Sequence, residues 1–75
     1  MAVQLNRSPV AHIRFDGRSR DVPLAELGVA DTSSDHDIKQ AIARHLEISE
    51  ERLHDHVLDR HETGNVTLRP EAVFG

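Results

Sequence analysis

The sequence predicts a small single α+β domain, ordered ββαββ, with one main helix packed on a mostly antiparallel sheet. Three observations predict it. Apolar and polar residues alternate on both sides of Asp16-Gly17, the pattern of a half-buried hairpin. Ile38, Ala41, Ile42 and Leu46 recur at helical intervals, which gives one apolar stripe. Val66-Thr67-Leu68-Arg69 alternates again and is closed by Pro70, as a short last strand should be.

The chain has 75 residues, one domain near the lower end of what folds without a staple. Residues 1–9 read as an arm, with Asn6-Arg7-Ser8-Pro9 as a turn-like stop and a short strand available at Val3–Leu5. The first firm strand is Ala11–Phe15. Its partner runs through Arg20-Asp21-Val22-Pro23-Leu24. A four-residue loop, Asp16 to Ser19, sets Ile13 opposite Val22 and Ala11 opposite Leu24, so that apolar side chains meet apolar ones. A two-residue loop sets Phe15 and Ile13 opposite Arg18 and Arg20. Cross-strand pairing therefore favours the longer loop. Pro23 lacks an N–H, which marks its strand as an edge or as ending there. Leu27 to Ser33 is a connector.

The helix is expected over 35–46. Ser34 and Asp37 have capping-box spacing. Asp35 and Asp37 lie in the first turn, where the helix dipole favours negative charge. Ile48, Ser49 and Leu53 have the spacing of a hydrophobic staple around an N-cap, and Glu50-Glu51 suit a first turn. From there two readings are open. The turn can stop and leave His56–His61 as a strand, or it can continue to about Glu62 and give ββααβ. The adjacent pair Val57-Leu58 fits a strand covered on both sides, or a helix stripe. The strand is slightly favoured, although neither strand register gives a clean apolar face against Val66 and Leu68. Phe74, one of only two aromatics, is expected to fold back on the core.

Composition narrows the function classes. There are no cysteines, so there is no disulfide and no thiolate metal site. This fits a cytoplasmic setting. No segment resembles a signal peptide or a membrane span. The formal charge of -4 repels a phosphate backbone and counts against general nucleic-acid binding. With 37% hydrophobic and 3% aromatic residues, the core is aliphatic and thin, and a partner chain would help it.

Hairpin, helix, short turn, hairpin is an order that resembles ubiquitin-like β-grasp proteins. The residues that carry the resemblance are the hairpin around Asp16-Gly17, the helix from Asp35 to Leu46, the strand Val66–Arg69 and a terminal Gly75. The resemblance implies a small non-catalytic module that presents a sheet face or edge to a partner. Ubiquitin-like modifiers and sulfur carriers end in Gly-Gly, whereas this chain ends Val73-Phe74-Gly75. A modifier reading would use Gly75.

Six histidines are the compositional oddity. His54, His56 and His61 lie near Asp55, Asp59 and Glu62, and imidazole with carboxylate is a zinc or nickel donor set. No HExxH or paired motif is present, and a solvated polar face explains the cluster more simply. Arg14, Arg18 and Arg20 fall on or beside the first hairpin, where Arg14 and Arg18 offer a small cationic patch for an acidic partner or phosphate. The plainer alternative is an ordinary charged strand face, and the lack of aromatic stacking groups favours it. Asp31, Asp35 and Asp37 read as helix capping, since EF-hand spacing is absent. No nucleophile elbow and no phosphate-binding glycine loop occurs. The sequence therefore points to a protein–protein interaction or accessory module that is not an enzyme, needs no cofactor, and binds another protein or a second copy of itself. A histidine-based metal-binding accessory protein is the alternative.

Overall fold

The computed structural model describes residues 8–71. The expected strand at Val3–Leu5, the packing of Phe74 and the terminal Gly75 lie outside the described residues. The elements are β1 (Val10–Phe15), β2 (Arg18–Pro23), α1 (Leu24–Leu27), α2 (Asp35–Leu46), a 3₁₀ turn (Glu50–Leu53), β3 (His56–Arg60) and β4 (Val66–Pro70). The four strands form one sheet in the order β2-β1-β4-β3. Both hairpins are antiparallel, and the central pair β1–β4 is parallel. A parallel pair requires a crossover, and the segment containing α2 supplies it.

The α2 helix matches its expected bounds because its signals are local. The Ser34 hydroxyl accepts from the Asp37 N–H at 3.1 Å. That bond satisfies one of the donors left open by the first turn. Ile38, Ala41, Ile42 and Ala43 are buried on the sheet. The helix ends at Glu47 in a left-handed conformation (φ 60°). Ser49 caps the next turn through the Glu51 N–H, and that turn stops after four residues. Residues 56–60 are thus free to pair as a strand, and the helical alternative for this stretch does not occur.

The first hairpin corrects the expected register. Ala11 faces Val22, Ile13 faces Arg20, and Phe15 faces Arg18. The loop is Asp16-Gly17 alone, and both residues have positive φ, at 57° and 74°. That backbone twist matches the right-handed twist of the flanking strands. Turn chemistry therefore outweighs the pairing of apolar side chains. The arginines cause no burial penalty because only the Val22 end of β2 is buried, while Arg18 to Asp21 are exposed. The chain then leaves the strand at Pro23. Leu24 to Leu27, expected as strand end and connector, instead form one helical turn closed by Gly28 at φ 75°.

The core lies between α2 and one sheet face. Ile13, Leu24, Ile38, Ile42, Leu53, Val66 and Leu68 are its fully buried side chains. Each contributes about 1.5–3 kcal/mol relative to exposure. Leu58 of β3 faces Leu68 and packs at the edge of this core. The opposite sheet face is polar. There His12 pairs with Asp21 at 2.8 Å, His61 with Thr67 at 2.8 Å, and Arg69 with Asp59. Half-solvated antiparallel hairpins characteristically show such an alternation.

Candidate functional site

The two outer strands, β2 and β3, finish their exposed edges differently. In an antiparallel pair, alternate residues direct their N–H and C=O groups at the partner. His61 N–H donates to Asn65 O at 2.9 Å, and Glu71 N–H to Asp55 O at 2.9 Å. By this alternation, His56, Leu58 and Arg60 turn their backbone groups away from β4. The Lys39 ammonium, reaching down from α2, donates to His56 O at 2.8 Å. Arg60 reaches the loop before α2 and donates to Asp31 O at 2.8 Å, Ser33 O at 2.6 Å and Asp35 Oδ1 at 2.7 Å. Lys39 thus caps one outward carbonyl of β3, and Arg60 ties the end of the strand to the segment that begins α2.

On the other side, Leu24 N–H donates to Pro9 O at 2.9 Å. Continuing that alternation, Ser19, Asp21 and Pro23 turn their backbone groups outward. Pro23 has no N–H to offer, as befits an edge position. Among the described residues nothing caps Ser19 or Asp21 from outside. Beside this edge, on the helix side of the sheet, lies a cleft of about 170 Å³ lined by Ile13, Phe15, Asp16, Arg18, Arg20, Leu46 and Ile48. Its floor is apolar, and two guanidinium groups stand on its rim. A third, Arg52, sits 5.1 Å above the Phe15 ring, a cation–π distance.

The predicted cationic residues therefore divide. Arg18 and Arg20 share the cleft. Arg14 lies on the polar face, although it joins Arg18 around a smaller hollow at the hairpin tip. The predicted histidines are not brought together either. The His54 ring contacts Glu51 O in the turn before β3. The His56 ring is directed inward, 5.5 Å from the Phe15 ring, with Nδ1 near Asp55 at 3.0 Å. The His61 ring is on the opposite face with Thr67. Among the described residues no group of three or more histidine, aspartate or glutamate side chains is placed to hold a metal ion. No polar residue among them is fully buried, although the His56 side chain keeps only 9% of its surface exposed.

The one resolved electrostatic perturbation is structural. The Arg69 guanidinium, first by its hydrogen bond and then by its charge, holds the Asp59 carboxyl below the usual carboxylate range. The same pairing raises Arg69. Sequence reasoning missed the roles of Arg60 and Lys39. Their partners lie 25–29 and 17 residues away, and no local pattern signals such contacts.

No family model, curated protein or solved structure matches this chain. What the structure defines is a small α+β domain with a four-stranded mixed sheet and one main helix. No helix among the described residues is long and apolar enough to cross a membrane.

Proposed function

We propose that this domain is a non-catalytic interaction module, ubiquitin-like in its β-grasp arrangement, which offers the β2 edge to a partner protein. The observation that carries the reading is the difference between the edges. On β3, Lys39 caps His56 O and Arg60 ties the strand to the loop before α2, while among the described residues no group caps the β2 edge beside its apolar cleft. An uncapped edge is a template for strand addition. The parallel central pair, with the helix in the crossover, supports the β-grasp reading. Proteins generally blunt an edge with charge or proline. β2 carries both devices, Pro23 at its end and charges along it, and Ser19 and Asp21 still keep backbone groups without a cap among the described residues.

Site-specific photo-crosslinking tests this function. A photoreactive amino acid at Ser19 is expected to capture a discrete partner in the cells that make the protein. The same group at Leu58, on the strand that Lys39 and Arg60 tie down, is expected to capture none. Capture from Leu58 with none from Ser19 would contradict the reading.

A further inference from the structure

The chemistry beside β2 identifies what kind of partner fits it. Arg18 and Arg20 lie on the cleft side of the strand, with Ile13, Phe15, Leu46 and Ile48 beneath and beside them. Arg52 lies over the Phe15 ring. Asp16, at the hairpin tip, is the one acid in the cleft lining. Asp21 lies on the other face and is paired with His12. The chain as a whole carries a charge of -4, yet the groups gathered around this cleft are mainly cationic.

Strand addition at this edge uses the outward backbone groups of Ser19 and Asp21. Consider first a second copy of the chain, joined about a two-fold axis as antiparallel β2 strands. Only three registers let these residues form hydrogen-bonded pairs. Centred on Ser19, Arg18 meets Arg20 of the other copy. Centred on Arg20, the two Arg20 side chains meet. Centred on Asp21, the two Asp21 carboxylates meet. Every register sets like charges directly opposite, which destabilises a strand pair. A second copy is therefore a poor occupant of this edge, and a segment of opposite charge is a good one.

We infer that the β2 edge receives an extended acidic segment of another protein. Its carboxylates lie against Arg18 and Arg20, and an apolar side chain sits over Ile13, Phe15, Leu46 and Ile48. The inference rests on the interaction-module reading and adds the chemistry of the partner. Main-chain bonds to Ser19 and Asp21 give affinity, and the side chains in the cleft give specificity. Opposite charges across the added pair fix register and speed encounter.

The test is selection from a displayed library of random heptapeptides, run on the full chain and on R18E/R20E. The native chain is expected to enrich peptides that alternate Asp or Glu with Ile, Val, Leu or Phe. The double variant should bind those peptides at least about tenfold more weakly and, selected in turn, should enrich Lys and Arg. Amide shifts on peptide addition should centre on Arg18–Val22 and on Leu46 and Ile48. Should the double variant fail to fold, R20Q and the salt dependence of the native complex answer the same question. Binding should then weaken with added salt. Neutral or basic winners overturn the inference, as does binding indifferent to the charge swap and to salt. Shifts centred on β3 also overturn it while leaving an interaction module standing. No enrichment on either chain removes both readings.

Discussion

The edges of this sheet belong to one continuous hydrogen-bonded structure, yet they solve the same problem in opposite ways. At β3, long cationic side chains tie the strand to its neighbours. Lys39 comes from the helix above, and Arg60 reaches from the strand to the loop that begins that helix. At β2, the arginines stand at the rim of an apolar cleft and span nothing. The difference teaches that an arginine's role here depends on what lies within its reach. Arg60 has carbonyl oxygens and a carboxylate to bind. Arg18 and Arg20 lie beyond the part of the strand that is buried.

The largest effect tests what the edges share. Leu68 is fully buried at the sheet centre, between Ile13 on β1 and Leu58 on β3. Leu68→Ala is expected to cost about 3 kcal/mol, read as a lower midpoint in urea, with both edges lost together. Selective loss of one edge would show that they are independent units. Next is Arg60→Ala, which removes the hydrogen bonds that tie β3 to the loop. The side chain is more than a third exposed, so solvent screening holds the expected cost to about 1–2 kcal/mol. Amide exchange should rise in residues 31–35 and 56–60 and stay unchanged in β2. A third variant, Lys39→Met, uncovers His56 O. Its expected cost is about 0.5–1 kcal/mol, accompanied by concentration-dependent association in sedimentation that the native chain does not show. If association does not increase, the lysine is not what protects β3.

The smallest effect concerns pH. Asp59 has its carboxyl lowered by the hydrogen bond from Arg69. A lowered carboxyl contributes stability that is complete above the unfolded value and is lost as pH falls through the folded one. Asp59→Asn should therefore lower stability at neutral pH, where the contribution is complete, and the difference from the native chain should vanish as pH falls through the folded carboxyl value, flattening the acid side of the profile. An effect larger in acid than at neutral pH would contradict this.

How much of this was legible in the sequence depends on the range of each interaction. The helix over 35–46 and its Ser34 cap were legible because the cap and the apolar stripe lie within a few residues of each other. The turn at Asp16-Gly17 was legible too. Its register was not, because pairing apolar with apolar assumed that all of β2 lies under the helix. The strand at 56–60 was only half legible. Leu58 alone supplies its apolar inward position, and the other two are His56, beside Phe15, and Arg60. Their inward placement makes sense only once the ring and the loop are folded against them. The cleft was legible in part. Arg18 and Arg20 stood out in the sequence, whereas Leu46 and Ile48 are added by the return of the chain after α2. The histidines stood out by number, and the fold disperses them.

The most direct test of the central claim is amide hydrogen exchange at Ser19 and Asp21, compared with Leu58 and Arg60, with and without the selected acidic peptide. The account predicts rapid exchange at Ser19 and Asp21 in the free protein and marked slowing when the peptide binds, with Leu58 and Arg60 unchanged. Slowing at Leu58 and Arg60 instead would contradict it, as would Ser19 and Asp21 amides already protected in the free chain.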